Sequence, residues 1–125
     1  QMASVAALDG PQDEVDVVRT TFEKRRNIFH TALSLIPNLP CNRPDGAFYL
    51  FPDVSYYLGG KTPEGKTITT ADELCLYLLD KGHVSAVSGE AFGHANCIRF
   101  SYAAAEEQLI EAAERIAIAF RNLTH

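Results

Sequence analysis

The sequence has few of the residues that mark disulfide-rich, metal-binding or membrane proteins. Its 125 residues include only three cysteines, and none of them lies in a CxxC or CxxH pair, so a zinc site and a disulfide framework are both disfavoured. Free thiols of this kind suit a reducing compartment, and we expect a cytoplasmic protein. No apolar run approaches the roughly 18–20 residues that would span a bilayer, so no membrane partner is expected.

Positive charge is scarce as well. The chain has 11 lysines and arginines against 16 aspartates and glutamates, which gives a formal net charge of −5. This negative charge disfavours binding to the phosphate backbone of a nucleic acid. The one basic cluster, Lys24-Arg25-Arg26, lies within a predicted helix and is interpreted as a solvated helix face. With 46% hydrophobic and 22% charged residues, the composition is that of a globular protein, and the length fits one domain.

The first residues suggest that the chain continues a longer one. It begins with Gln1 rather than Met, and the small residues up to Leu8 look like the tail of a helix that started upstream. Asp9-Gly10-Pro11 then interrupts this tail and begins a new element, because proline is favoured in the first turn of a helix. We therefore expect a fragment of a larger protein.

Hydrophobic periodicity predicts three helices. The first follows Pro11 and is ended by Pro37 and Pro40. Its apolar stripe consists of Val15, Val18, Phe22, Phe29, Leu33 and Ile36. The second begins at Ala71, after a capping box, and stops at Gly82 in the usual left-handed position. The third has an apolar stripe of Leu109, Ala113, Ile116, Phe120 and Leu123.

Three short strands are predicted between the helices. Ala47–Phe51 is an apolar run that we expect to be buried on both faces, and Val84–Val87 and Cys97–Tyr102 are the second and third strands. The polar segment Gly59–Thr69 is expected to be a mobile surface loop. The predicted fold is therefore α+β, with the order α-β-α-β-β-α and a small three-stranded sheet backed by helices on one face.

Arg99 is the candidate functional residue of the third strand. Ile98, Phe100 and Tyr102 alternate onto one face, so Arg99 points to the other. Because arginine keeps its charge, Arg99 must pair with a protein carboxylate, reach solvent or receive an anionic ligand. Pairing is the favoured outcome for a charged residue near a core. However, no acidic residue lies between Glu90 and the end of this strand, which favours the ligand.

No other catalytic pattern and no metal site is expected. The histidines are far apart and are interpreted as surface or helix-end residues: His30, His83, His94 and His125. No serine lies in a G-x-S-x-G elbow, and the glycines of residues 88–93 form no phosphate-binding loop.

Three segments, in order, match motifs of one known family. Gly10-Pro11-Gln12-Asp13, followed by Lys24-Arg25-Arg26-Asn27, is similar to a helix break and a basic helix motif, and Pro44–Tyr49 is similar to a P-x-GAFY strand. Val87–Gly93 and Ile98–Ala103 are similar to V-P-G-x-x-F-G and [IV]-R-[LIF]-S-[YFA]-A. Together they resemble the class I aminotransferases of pyridoxal-phosphate (PLP) fold type I, of the aspartate aminotransferase kind. Ser88 departs from the family proline, and the Gly59–Thr69 loop is longer than in many members.

The resemblance implies a PLP-dependent transaminase that moves an amino group from an amino acid, of the aspartate type, to a 2-oxo acid. Residues 1–9 would be the tail of an interdomain helix from a missing large domain, and residues 10–125 the C-terminal small domain. The Schiff-base lysine and the other PLP contacts would lie in the large domain, since Lys61, Lys66 and Lys81 match no family position. The fragment alone would be inactive, and the full-length enzyme would be a homodimer.

The resemblance also assigns site residues. Arg99 corresponds to the strand arginine that binds the substrate α-carboxylate in the family. Phe48, Tyr49 and Phe92 are candidate walls of the substrate entrance, although core packing is favoured for each taken singly. Two alternatives stay open: a non-enzymatic amino-acid-binding or regulatory α+β module, and a purely structural interaction domain, since a fold does not fix a function.

Overall fold

The computed structural model describes residues 13–42 and 49–124. Over these ranges the chain forms helix α1 (Asp13–Ser34), strand β1 (Tyr49–Leu50), helix α2 (Ala71–Tyr77), strand β2 (Val87–Ser88), strand β3 (Ile98–Ser101) and helix α3 (Glu106–Arg121). Short 3-10 turns at Ser55–Tyr57 and Gly89–Phe92 follow β1 and β2. The predicted α+β class and element order are confirmed. The predictions for Gln1–Leu8, Asp9-Gly10-Pro11, Pro44–Ala47 and Phe48 lie outside the described residues.

The sheet is antiparallel throughout, with β3 between β1 and β2. Leu50 pairs with Phe100 and Ser88 with Ile98, and all four side chains are buried. Because strand residues alternate between faces, Tyr49 and Arg99 share the opposite face, the open face, on which Tyr49 is partly exposed. The alternation predicted for the third strand is therefore confirmed.

Two predicted strands differ from the observed ones. The first is not buried on both faces, because Tyr49 is 38% exposed while Leu50 is fully buried. β1 is an edge strand, and its two residues alternate between an exposed and a buried face of the sheet. The second strand is Val87–Ser88 rather than Val84–Val87, because Val84 instead donates its N–H to the carbonyl of Leu78 at the end of the preceding helix.

The helices pack on the buried face of the sheet and on each other. The Phe29 ring of α1 meets Phe100 of β3 edge-on, with 6.1 Å between ring centroids. The predicted stripe of α3 is buried at every position, Leu123 lying just past the helix end. The stripe of α1 is correct toward its C-terminal end but wrong at Val18, which is 52% exposed, and the side chain of Val15 lies outside the described residues.

Helix α2 begins as predicted and ends differently. The Thr70 hydroxyl accepts a hydrogen bond from the Glu73 N–H at 3.2 Å. The Glu73 carboxylate accepts from the Thr69 N–H at 2.9 Å, one residue earlier than in a standard capping box. Past Tyr77 the chain widens into a π-helical turn over Leu78–Gly82. The left-handed residue that ends this turn is His83, with φ of 54°, and not Gly82.

The segment Gly59–Thr69 lies at the surface but is anchored rather than free. The Lys61 N–H donates to the Thr124 carbonyl at 2.8 Å, and the Thr124 N–H donates back to Lys61 at 2.9 Å. Ile68 contributes a buried side chain to the core. These contacts join the segment to the residues that follow α3, and the surface position predicted for it is observed.

Candidate functional site

Arg99 occupies the middle strand of the sheet on its open face. Because β3 lies between β1 and β2, side chains from both neighbouring strands can reach it. Tyr49 stands diagonally across from it on β1, since Tyr49 pairs with Ser101, two residues further along. Phe92 comes from the 3-10 turn that directly follows β2. The fold therefore brings one cation and two aromatic rings to the same patch of surface.

The two rings contact the guanidinium group directly. The Cζ atom of Arg99 lies 4.2 Å from the centroid of the Tyr49 ring and 4.7 Å from that of Phe92. Both distances are well inside the approximate 6 Å range of cation–π attraction. Within the described part of the chain, Arg99 makes no ion pair with a carboxylate. By contrast, Arg115 pairs with Glu111, and Arg19 with Asp16.

The turn that carries Phe92 is fixed by hydrogen bonds. The Ser88 hydroxyl accepts from the Glu90 N–H at 3.2 Å, so the serine that replaces the family proline caps the turn. The turn closes at Gly93, whose positive φ of 81° favours glycine and whose N–H donates to the Glu90 carbonyl at 3.1 Å. The Phe51 ring meets Phe92 edge-on, with 6.4 Å between centroids. Phe92 is therefore held in place although its side chain is 48% exposed.

Two of the predicted site residues thus lie beside Arg99. Neither Tyr49 nor Phe92 belongs to the core, so the core interpretation of each is wrong. Phe48 lies outside the described residues. Sequence reasoning missed that the two rings face the guanidinium itself. For Tyr49, the alternation of strand residues could have predicted a side chain on the face opposite that of its buried neighbour. No sequence pattern locates Phe92 over Arg99.

Within the described residues, neither a reactive thiol nor a metal site accompanies Arg99. The neighbouring Cys97 has its pKa raised by burial and by the charge of Asp53, so this thiol stays protonated and is a poor nucleophile. Burial also raises the pKa of Cys75, to about 11, with a contribution from Asp72. Among residues 13–42 and 49–124, no group of three side chains could hold a metal ion.

A separate cavity of the described chain does not include Arg99. It is an apolar groove of about 570 Å³ between the end of α1, the Ser55–Tyr57 turn and α3, lined by Leu35, Tyr56, Ile110 and Phe120 among others. Its charged side chains, Glu114 and Arg121, lie on the exposed surface of α3 or just at its end. The Arg99 cation, which has no ion pair within the described residues and lies between two rings, suits a small anion better than this apolar groove does.

Comparison with known protein families identifies the family of the chain. The model of the family "Aminotransferase class I and II" matches residues 1–116. The chain belongs to this aminotransferase family. The resemblance carried by its three motifs is therefore confirmed over nearly the whole length.

Individual relatives agree with this membership. The aminotransferase chain is 46% identical to the aspartate aminotransferase of Rhizobium meliloti (strain 1021) over 124 residues, which is 99% of the chain and 30% of that relative. A probable aspartate/prephenate aminotransferase of Rickettsia felis is 39% identical over 116 residues, 93% of the chain and 28% of the relative. The crystal structure of the aspartate aminotransferase from Rhizobium meliloti superposes with a TM-score of 0.92 at 45% identity, covering 98% of the chain and 30% of that structure.

The chain therefore spans about 30% of the length of the relatives it matches. Its lysines do not fit a Schiff base with PLP, which calls for an amine whose pKa is lowered by burial or by a neighbouring cation. Lys24 is exposed and pairs with Glu106 at 3.2 Å. The hydrogen bond from Lys81 to Glu64 raises the lysine pKa, the opposite of what is needed. Lys61 and Lys66 are exposed on the Gly59–Thr69 segment.

No described helix is long and apolar enough to cross a lipid bilayer.

Proposed function

We propose that the chain is the C-terminal small domain of a PLP-dependent aminotransferase that transfers an amino group from an amino acid to a 2-oxo acid. In this assignment, residues 1–9 lead in from a larger domain and residues 10–125 form the small domain. The observation that carries the proposal is the Arg99 guanidinium, which lies between two aromatic rings on the open face of the sheet and has no carboxylate partner among residues 13–42 and 49–124. Membership of the aminotransferase family favours this function over a non-enzymatic binding module.

Arg99 would bind the α-carboxylate of the substrate. A guanidinium presents parallel N–H donors that match the two oxygens of a carboxylate, so the contact fixes the orientation of the substrate as well as its charge. Every amino acid and 2-oxo acid carries such a carboxylate, so one residue can serve both partners of the reaction. Tyr49 and Phe92 would shield the contact from water on two sides, with Phe48 as a further candidate wall of the entrance.

The cofactor would be held by the part of the whole protein that lies outside this chain. When bound, PLP supplies the electron sink for the reaction. Because none of the four lysines fits the Schiff base, the 125 residues alone should be inactive. Adding PLP to the isolated chain should produce no absorption band that responds to amino acids, and turnover by the chain alone would contradict the proposal.

The names of the relatives favour an aspartate-type amino donor. We also propose that the whole enzyme is a cytoplasmic homodimer. The cytoplasmic location is supported by three free cysteines, all of them partly buried, which persist in a reducing compartment.

The test is Arg99→Ala in the whole protein, assayed with L-aspartate and 2-oxoglutarate. Loss of one partner of a desolvated charge pair costs roughly 2–5 kcal/mol, so kcat/KM should fall by roughly 30- to several thousand-fold. The kcat/KM of Arg99→Lys should fall less, because lysine keeps the positive charge and loses only the paired N–H donors of the guanidinium. Bound PLP should be retained in both variants, since no cofactor contact is assigned to Arg99.

Arg115→Ala is the matched control. It removes the same side chain from the exposed surface of α3, where Arg115 pairs only with Glu111 in the described structure, and it should leave kcat/KM unchanged. A melting temperature is recorded for each variant. If Arg99→Ala lowers the melting temperature but leaves kcat/KM near normal, Arg99 is a structural residue and the proposal is wrong.

A further inference from the structure

We propose that Tyr49 and Phe92 are positioning residues that clamp the Arg99 guanidinium and present only its edge to a carboxylate. The inference rests on the proposed role of Arg99 and gives two residues beside it a specific function, that of holding the guanidinium in place. It follows from the strands that carry the two rings. It also follows from the effect of stacking on a guanidinium, which restricts its motion but leaves its hydrogen-bond donors available.

The rings approach Arg99 from two sides. Tyr49 belongs to β1 and Phe92 to the turn after β2, and β3 lies between these strands. With ring centroids at 4.2 and 4.7 Å from Cζ, both rings are close enough to cover the planar group. The N–H donors of a guanidinium lie in its plane, so a ring over its face leaves them free to meet a ligand edge-on.

An aromatic clamp differs from an ion pair in what it leaves available. A carboxylate partner would hold Arg99 in place but would also neutralise its charge and occupy its donors. A ring attracts the cation and restricts its motion without taking its hydrogen bonds. An arginine side chain has roughly 2 kcal/mol of rotamer entropy, and restricting it before the ligand arrives removes part of that cost from binding.

The rings themselves are supported differently. Phe51 supports Phe92 edge-on, and His94 meets the Phe51 ring in turn, with 5.5 Å between centroids. Tyr49 is 38% exposed, and its hydroxyl makes no hydrogen bond within the described residues, so the ring alone carries its contact with Arg99. Removal of the hydroxyl should therefore preserve the clamp, and removal of the ring should open it.

The experiment measures binding of maleate, a dicarboxylate without an amino group, to the whole PLP-loaded protein by calorimetry. Tyr49→Leu and Phe92→Leu should each raise the Kd by roughly 3- to 30-fold, the range of one cation–π contact. Tyr49→Phe, which restores the ring, should return the Kd to within about twofold of the parent value. Tyr56→Leu is the matched control, because Tyr56 is an exposed tyrosine in the Ser55–Tyr57 turn, away from Arg99.

A double-mutant cycle separates positioning from a general structural effect. If the rings act through Arg99, Tyr49→Leu should change the Kd no further once Arg99→Ala is present. Both rings lie outside the core, so we expect little change in melting temperature. Should Tyr49→Leu fail to fold, Tyr49→Met provides the same test with an unbranched apolar chain.

The outcomes distinguish this inference from the proposed function. If Arg99→Ala loses maleate binding while both leucine variants bind like the parent, the clamp is refuted and the role of Arg99 stands. If the leucine variants weaken binding equally in the Arg99→Ala background, the rings do not act through Arg99 and the clamp is again refuted. If Arg99→Ala binds maleate like the parent, both the proposed function and the clamp are wrong.

Discussion

Gly89→Ala should damage the structure that supports the site more than a single methyl group suggests. Gly89 begins the turn that carries Phe92. A Cβ atom at this position would clash with the His94 carbonyl oxygen and lie 2.8 Å from that of Cys97, closer than real Cβ atoms approach. It would also lie 2.7 Å from the Phe51 ring, which supports Phe92.

The backbone cannot move aside without losing hydrogen bonds. The Gly89 N–H donates to the Cys97 carbonyl, and the Gly89 carbonyl accepts from the His94 N–H, both at 2.8 Å. Overpacking costs about 1–3 kcal/mol, and each lost hydrogen bond costs about 0.5–1.5 kcal/mol. The free energy of unfolding should therefore fall by about 2–6 kcal/mol, measured by urea titration of the whole protein.

Gly82→Ala is the control for this substitution. A Cβ atom at Gly82 would meet its nearest neighbours, Arg115 and Ala119, at 3.7 and 3.8 Å, which is ordinary van der Waals contact. With no clash, the variant should be neutral or more stable by up to about 1 kcal/mol, because alanine has fewer unfolded conformations. If the free energy of unfolding of Gly89→Ala lies within about 0.5 kcal/mol of the parent value, the turn is not packed as closely as described and the prediction is wrong.

Three further predictions concern the rest of the chain. Tyr77→Phe should lower the free energy of unfolding by about 1–3 kcal/mol in urea titrations, because the Tyr77 hydroxyl donates at 2.8 Å to the Ala119 carbonyl. This carbonyl lies in the last turn of α3, where helical hydrogen-bond partners are lacking, and a loss below about 0.5 kcal/mol would contradict the prediction. Alkylation of Cys75 by iodoacetamide at pH 8 should be roughly 10-fold slower than that of a thiol with the ordinary pKa of 9.0, because a pKa of about 11 lowers the thiolate fraction roughly 100-fold while the more basic thiolate is roughly 10-fold more nucleophilic. A rate near that of an ordinary thiol would refute the raised pKa. The 125-residue chain should unfold cooperatively, with more helix than strand by circular dichroism, because its core is continuous across α1, the sheet and α3; gradual unfolding would contradict that core.

The helices were the most predictable part of the fold. The buried residues of α3 recur at steps of three and four, as the sequence pattern predicts. Helix α2 begins after Thr70, whose hydroxyl caps it as predicted. The end of α2 was not predictable, because the π-helical turn and the left-handed His83 depend on how Leu78 and Gly82 pack against α3. Propensity alone assigns the left-handed position to glycine.

The site was predictable in part. Strand alternation places Arg99 on the face opposite Ile98 and Phe100, and the structure agrees. The two rings over the guanidinium depend on strand order, since Tyr49 and Phe92 are 43 residues apart in the sequence and meet only because β3 lies between β1 and β2. Short strands carry little signal of their neighbours, so this juxtaposition required the three-dimensional structure.

The most direct test of the central claim is a crystal structure of the whole protein with PLP and maleate bound. We expect one carboxylate of maleate to accept two hydrogen bonds from the Arg99 guanidinium, with N–O distances of about 2.7–2.9 Å. The Arg99 Cζ atom should remain over the Tyr49 and Phe92 rings. An Arg99 that is paired with a carboxylate of the protein, with maleate bound elsewhere, would contradict the assignment of Arg99 as the substrate-binding residue.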